Sequence, residues 1–346
     1  MDTAEFDAAV LGGGPAGAAV AFSLARRGRS VALLEPSEAS PRYGETLPPE
    51  ITPVLSEWGI FAAFRETSPI ESPGMVSVWG ASAPYEQDFL RNPYGPGWHV
   101  DRTRFDEMLC GAAAAAGAVR KRAGRAAIGR HGDGWQVGNV SARVLVDATG
   151  RNGLPIDGAA EREIDDRLLA LVFYTSRAGH TPADRRAFIE AAPAGWWYSA
   201  PASGGGMTAM FFTDCDVYAR EGIVPEEQLR QAPLTAARLA GVGFGEPRTV
   251  YVTSSCRRKI AGGAWLAAGD SASCYDPLSG RGVFKALRQG ARAAEAIDAQ
   301  LAGDADAFHR YAAGVRAEFD AYVEQRRRYY ALETRWSGHA FWRGRR

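Results

Sequence analysis

The sequence predicts an α/β protein, with a three-layer ββα domain interleaved with a mainly antiparallel β-sheet domain and followed by a C-terminal helix. Three observations predict it. The first thirty-five residues read as strand, glycine loop, helix and strand. A run of β-rich segments fills the stretch from Leu168 to Cys256, and a second apolar strand ending in Gly269-Asp270 leads into another helix. At 346 residues the chain can form one large domain or two interleaved ones.

Phe6 to Leu11 (FDAAVL) has the continuous apolar character of a strand buried on both faces, and Pro15 to Arg27 has helical spacing through Ala18, Phe22 and Ala25. Between them lies Gly12-Gly13-Gly14-Pro15-Ala16-Gly17. Ser30 to Leu34 returns as a second buried strand, and Glu35 stands at its end, 23 positions beyond Gly12. This is a complete Rossmann-like βαβ unit. Gly12 supplies the tight turn, Gly14 lets the backbone approach a pyrophosphate, and Gly17 lets the helix pack on the strand. Pro15 suits a first helical turn whose free N–H groups and positive dipole end face phosphates. Glu35 is placed to accept hydrogen bonds from ribose hydroxyls. The unit predicts an adenine dinucleotide but does not separate NAD from FAD.

After a polar turn, Arg42-Tyr43-Gly44-Glu45-Thr46-Leu47-Pro48-Pro49 is too rich in Gly and Pro for regular structure and reads as a loop over a ligand, leading to a helix near Pro53 to Phe64. Residues 70–97 shift to Pro, Gly and aromatics, an excursion into the second sheet. Trp98, Val100 and Arg102 alternate along a short strand, so Arg102 is expected where strand and helix meet. Gly132-Asp133-Gly134 signals a hairpin. The strand Val144 to Asp147 ends in Ala148-Thr149-Gly150, polar groups and a flexible backbone at a sheet's carboxyl end, where open α/β sheets bind ligands.

In the β-rich region, Trp196 and Tyr198 are expected on one face of a strand and Trp197 on the other, with one face a possible aromatic floor for a substrate. The second diagnostic stretch is Trp265 to Ser273, followed by Asp276-Pro277-Leu278-Ser279-Gly280-Arg281-Gly282 and a helix from Val283. Asp270 is placed to accept from a polyol, and Gly280 and Gly282 let a flat ring approach the helix start. A helix N-terminus stabilises the negative charge of a reduced flavin, which favours FAD over NAD. Ala307 to Arg328 is helical by spacing, with Arg326 to Arg328 read as a solvated face.

The expected division is 1–69, 98–155 and 257–303 for the nucleotide domain, 70–97 and 156–256 for the substrate domain, and 304–346 for the tail. Lys+Arg and Asp+Glu balance at 40 each, so no net field recruits nucleic acid or an anionic membrane. The acidic start and the absence of any run of eighteen apolar residues argue against a signal peptide or membrane span. Cys110, Cys215, Cys256 and Cys274 have no metal-ligand spacing, and reduced thiols in a cytoplasmic protein are expected. No metal is implied, and oligomeric state leaves no trace.

With these residues in view, the chain resembles the FAD-dependent monooxygenases and halogenases of the p-hydroxybenzoate hydroxylase fold, nearly end to end. Gly12, Gly14, Gly17 and Glu35 match the family's FAD clamp, Arg102 its FAD-contacting arginine, and Gly269-Asp270 with Pro277 to Gly282 its ribityl and ring site. Asp147-Ala148-Thr149-Gly150 is similar to the halogenase-like version. Gly44 to Pro49 and the aromatic tail are most similar to flavoproteins that oxidise tryptophan in partner polypeptides during quinone-cofactor formation. The resemblance implies FAD held by Gly12, Gly14, Pro15, Ala16, Gly17, Glu35, Arg42, Arg102, Gly150, Gly269, Asp270, Pro277, Gly280, Gly282 and Val283. Reduction would come from NAD(P)H or a separate flavin reductase, because the chain has one dinucleotide fingerprint and Gly241 to Gly245 lacks the flanking unit.

The implied activity is hydroxylation of an indole-type ring by O₂ through a flavin C4a-hydroperoxide, the ring being a small aromatic or a tryptophan in a peptide or partner protein. Trp79, Trp98, Trp196 and Trp197 are the expected substrate contacts, with His99 and Tyr198 as candidate catalytic groups. Halogenation is the alternative reading, and a non-oxygenating FAD reductase or dehydrogenase the third. Tryptophan halogenases carry a lysine in the segment after the Gly-Glu-Ser loop that relays hypohalous acid. Here no lysine precedes Lys121, and Trp196-Trp197-Tyr198-Ser199-Ala200-Pro201 is a degraded form of their Trp-x-Trp-x-Ile-Pro motif.

Overall fold

The computed structural model describes residues 4–36, 45–123, 127–158, 160–174, 183–241 and 245–345. Arg42 lies outside the described residues. The chain folds as a mixed α/β protein with parallel and antiparallel sheets and C-terminal helices.

The first sheet has eight strands. The strand Ala4–Leu11 runs at its centre, parallel to Val31–Glu35 on one side and to Val140–Asp147 on the other. Val119–Arg122 extends one flank and Trp265–Ala267 the other, both in parallel register. Ala8, Ala9 and Val10 are wholly buried, as a strand covered on both faces requires. The hairpin Ile128–His131 and Gly134–Val137 is antiparallel to its neighbours, with Gly132 at φ +55 in the turn. The helices Pro15–Ala25 and Gly282–Leu301 pack on each other through small residues, since a Cβ added at Gly290 would stand 2.6 Å from the Ala16 carbonyl oxygen.

The second sheet has seven strands, in the order Arg248–Tyr251, Leu168–Tyr174, Met207–Asp214, Gly195–Pro201, Ala187–Ala192, Gly74–Val78 and Tyr85–Asp88. All neighbours are antiparallel except Ala187–Ala192 with Gly74–Val78. Trp196 lies opposite Phe212 and Tyr198 opposite Met210. The face bearing Trp196 packs against Tyr330, Phe341 and Trp342 from the C-terminal segment. The Trp197 face packs against Leu229, Ala232 and Leu239.

Two three-stranded sheets join these layers. One orders Glu45–Leu47, Gly97–Val100 and Ile70–Ser72, the other Arg162–Ile164, Ser255–Arg257 and Ser273–Cys274. Among the described residues no helix is long and apolar enough to cross a membrane.

Several local expectations need correction. The helix expected near Pro53 to Phe64 is two short ones, Ile51–Glu57 and Phe61–Glu66, because Gly59 takes φ +74 between them. The strand expected over Thr249 to Ser255 divides into Arg248–Tyr251 and Ser255–Arg257, which join different sheets. Three helices, Cys215–Glu221, Pro225–Arg230 and Pro233–Arg238, interrupt the β-rich region, two of them started by prolines that suit a first turn. The C-terminal helix runs Ala307–Ala331, and Arg326 is not solvated: it is buried and ion-paired with Asp165 and Asp166.

Candidate active site

The nucleotide clamp forms where the strand Ala4–Leu11 turns into the helix Pro15–Ala25. Gly12 sits at φ +108, and a Cβ there would be 2.3 Å from the Ala148 carbonyl oxygen. A Cβ at Gly17 would fall 1.8 Å from the Gly12 carbonyl oxygen, so helix and turn meet at a distance only glycine allows. Gly14 is the N-cap and places no side chain over the first turn, where Pro15 and the buried Ala16 follow. Glu35 lies beside this loop at the end of its strand. Its carboxylate accepts from Arg120 at 2.9 Å, an arginine that also pairs with Glu107 at 2.7 Å.

Gly269, at φ +69, packs against the clamp helix, for a Cβ there would be 2.5 Å from the Ala16 side chain and 3.9 Å from that of Ala286. The first turns of both helices are thereby brought together. Asp270 follows, with Lys285 at 3.0 Å and Arg151 at 3.4 Å. Burial alone would raise this carboxyl, but Lys285 and Arg151 outweigh it and hold it at about 2. Arg162 braces the same turn through the carbonyls of Ser271 at 2.8 Å and Asp270 at 3.1 Å.

Pro277 opens a short 3-10 turn, Gly280 closes it at φ +60, and Gly282 begins the helix ahead of the buried Val283. The helix has no side-chain cap. A Cβ at Gly150, Gly280 or Gly282 would meet nothing within 4 Å, so these glycines border open space. Arg102 begins the helix Arg102–Ala115 and pairs with the buried Asp106 at 3.2 Å. An uncapped helix end on a glycine turn, a carboxylate at the next strand's end and a second uncapped helix bordering open glycines fit FAD: the first helix could hold its phosphates, Glu35 its ribose and the second helix its ring.

A hydrogen-bonded chain runs between the small sheet and the seven-stranded one. Thr46 pairs with His99 in register, and its Oγ1 lies 2.7 Å from His99 Nδ1 and 2.5 Å from the Tyr198 hydroxyl. His99 Nε2 lies 2.6 Å from the Arg185 carbonyl oxygen. A carbonyl only accepts, so Nε2 carries the hydrogen and Nδ1 accepts from Thr46. Tyr198 then donates to Thr46. Burial drives His99 down to about 4; the Arg185 carbonyl opposes this and nearby Arg238 adds to it. The imidazole is neutral at pH 7. Thr46 was not singled out by sequence, although it lies in the Gly44 to Pro49 run that was; only the pairing of two strands shows which residue faces His99.

Three of the four tryptophans expected at the substrate are packed internally. Trp98 is buried against Phe61 and Phe64, under the Arg65 guanidinium, and donates to Thr52 Oγ1 at 3.1 Å. Trp196 is stacked on Phe212 at 3.9 Å, and Trp197 packs on Phe173 and Phe211 across the sheet. These three are corrected to core residues, because their rings are enclosed by protein. Trp79, half-buried, joins Trp196, Tyr330 and Trp342 and donates to the Tyr329 carbonyl at 2.8 Å. Arg257, Arg162 and Lys285 were missed; of these, Lys285 carried a signal as one of three lysines, in the first turn of a helix.

The glycine clamp, the facing uncapped helix and the strand order define an FAD-dependent oxidoreductase. More particularly, the chain belongs to the tryptophan halogenase family, whose profile matches residues 76–346. It is 28% identical to LodB of Marinomonas mediterranea, by name an FAD-dependent oxidoreductase, over 98% of this chain and 96% of that protein. It is 26% identical to a tryptophan 2-halogenase of Chondromyces crocatus, over 86% of this chain and 62% of that protein.

Two solved structures share the fold. The myxobacterial chondrochloren halogenase CndH superposes with a TM-score of 0.87 at 24% identity, covering 99% of this chain and 86% of that one. The peptidyl tryptophan dihydroxylase QhpG, which acts in tryptophylquinone cofactor biogenesis, does so at 0.79 and 22% identity, covering 99% and 79%.

Proposed function

We propose that this chain uses FAD and O₂ to oxidise an electron-rich aromatic ring of the indole type, carried on a peptide or partner protein. Halogen transfer and oxygen transfer are the two forms this oxidation can take. Family membership and the tryptophan 2-halogenase relative support halogen transfer, and judged by relatives alone it is the stronger reading. The lysine inventory supports oxygen transfer. Relay of hypohalous acid needs an amine in the segment after residues 44–49, and no lysine precedes Lys121. Lys121 lies over Phe6, Lys259 over Trp265, and Lys285 is held by Asp270. On that observation we take hydroxylation as the first reading. The fold shared with a peptidyl tryptophan dihydroxylase supports a polypeptide-borne ring.

When bound, FAD supplies the electron-transfer and oxygen chemistry, with NAD(P)H or a separate reductase as electron source. The clamp glycines and Glu35 hold its adenosine diphosphate half, and Asp270, Gly280, Gly282 and the Val283 helix hold the ribityl chain and ring. Tyr198, Thr46 and His99 keep a fixed proton order, Tyr198 to Thr46 to His99 Nδ1. His99 serves there as a neutral acceptor that orients the hydroxyls, since so weak a base takes no second ring proton at neutral pH.

The test supplies FAD-loaded protein with reductant and air, with and without chloride or bromide, and offers free tryptophan and a tryptophan-containing peptide. Intact-mass analysis reads the product. One or two added oxygens on the peptide, independent of halide, is the expected result; a halogen mass shift would establish the halogenase reading instead.

A further inference from the structure

The C-terminal helix reaches the turn that leads into the Gly282–Leu301 helix, and it does so through buried polar groups whose directions are all fixed. Tyr330 and Asp276 are each 1% exposed. Trp196 Nε1 stands 3.0 Å from the Tyr330 hydroxyl, and an indole N–H only donates. Tyr330 therefore accepts from Trp196 and gives its own hydrogen to Asp276 Oδ2, 2.8 Å away. The other oxygen, Oδ1, accepts from the Leu278 backbone N–H at 2.8 Å.

Both carboxylate oxygens thus accept, and these two bonds work against burial and the nearby Asp166 carboxylate, which together push the Asp276 carboxyl above its usual range. The Asp276 backbone N–H donates in turn to the Tyr322 hydroxyl at 2.6 Å, and Tyr322 stacks on Tyr275 with centroids 3.9 Å apart. Tyr322, Arg326 and Tyr330 recur every fourth residue, so one face of the helix carries all three grips.

We propose that Tyr330 is a positioning residue: through Asp276 it fixes the turn from Pro277 to Gly282 and so sets where the flavin ring lies. The inference rests on the reading that this turn holds the ring. Tyr330 touches nothing that reacts. It acts on the turn through one carboxylate, and its bond to Asp276 carries the effect. The C-terminal helix, on this account, belongs to the cofactor site although it supplies no group to it.

Tyr330→Phe keeps the ring contacts with Trp79, Phe341 and Trp342 and removes both hydrogen bonds. Asp276→Asn is a second variant that leaves the aromatic cluster whole. For each, FAD affinity, the absorption spectrum of the bound flavin and its midpoint potential are measured beside the melting temperature of the apoprotein. Both variants are expected to bind FAD about 10-fold more weakly, the worth of one buried hydrogen bond, with a displaced spectrum and potential. Trp196→Phe keeps Tyr330 bonded to Asp276 and is expected to leave FAD affinity within about twofold of wild type on the same reasoning.

Unchanged affinity, spectrum and potential in Tyr330→Phe and Asp276→Asn would overturn the proposal, whatever happens to melting. Gly282→Ala separates this from failure of the underlying reading. Its added Cβ meets no protein atom, so weaker FAD binding with an unaltered apoprotein melt places the ring at the turn. Unaltered FAD binding in Gly282→Ala would put the ring elsewhere and remove the basis of the inference.

Discussion

Arg257 Nη1 stands 2.8 Å from Asp147 Oδ2, with the two side chains 2% and 0% exposed. The pair closes the first sheet where the strand Val140–Asp147 ends. Asp147 also accepts from the Thr149 N–H at 3.1 Å and hydroxyl at 2.6 Å, and from the Leu154 N–H at 2.8 Å. One carboxylate thereby shapes the turn that delivers Gly150 to the site. Arg257→Met should cost about 3–5 kcal/mol, because it leaves a buried charge without its cation. Replacing both partners with apolar residues should recover part of that cost, since the stranded charge goes too, although Thr149 and Leu154 then lose their acceptor. Urea unfolding of the single and double variants checks this, and equal losses would show that the charge itself is not the problem.

The clamp makes a sharper steric prediction. A Cβ at Gly17 would lie 1.8 Å from the Gly12 carbonyl oxygen and 3.2 Å from the Ala148 side chain. Helix propensity favours alanine over glycine by about 1 kcal/mol, but backbone cannot yield as a side chain can. Gly17→Ala should therefore destabilise the protein by about 2 kcal/mol or more and strip it of FAD. Gly111→Ala is the control, since a Cβ there meets nothing within 4 Å. That variant should be as stable as wild type or slightly more so.

The clamp was legible in sequence because each glycine answers to a local constraint: a turn, a close approach or a helix contact. The strand alternation that separates Trp196 from Trp197 was equally local. What the sequence hid is contact across elements. Arg326 looked solvated beside Arg327 and Arg328, yet the helix turns it inward onto Asp165 and Asp166, 161 and 160 positions away. The tryptophans looked available to a substrate because aromatic residues serve both binding and packing, and only the covering rings decide which: Phe64 at Trp98, Phe212 at Trp196 and Phe211 at Trp197. Thr46 carries no motif of its own; a strand register gives it His99 and Tyr198.

His99 gives a prediction in pH. Its folded value of about 4 lies below the ordinary 6.5, so below pH 6.5 the unfolded chain takes up a proton that the folded one refuses. Stability from this group is therefore present above pH 6.5 and is lost as pH falls towards 4, by roughly 3 kcal/mol in all. Asp270 acts lower, contributing above its ordinary 3.8 and losing its part only as pH falls towards 2. Unfolding free energies from pH 7 to 4, compared between wild type and His99→Gln, isolate the histidine. A variant with the same slope as wild type would place the titration on another group.

The Tyr198, Thr46, His99 chain predicts a difference between two substitutions at one position. Thr46→Val keeps shape but removes the hydroxyl that accepts from Tyr198 at 2.5 Å and donates to His99 Nδ1 at 2.7 Å. Two partners lose their bond at once, a cost of about 1–3 kcal/mol in stability. If the chain orders protons during oxidation, turnover should fall by about 100-fold, at the lower end of what positioned proton transfer contributes, with little change in KM. Thr46→Ser restores the hydroxyl and should recover most of that turnover while leaving a small packing defect. His99→Gln should resemble Thr46→Val in turnover, because the amide at 99 no longer fixes which way Thr46 donates. The decisive comparison is kcat for Thr46→Val against Thr46→Ser at pH 7, with melting temperatures alongside: equal turnover in the two would reduce Thr46 to a packing residue and leave Tyr198 to act alone.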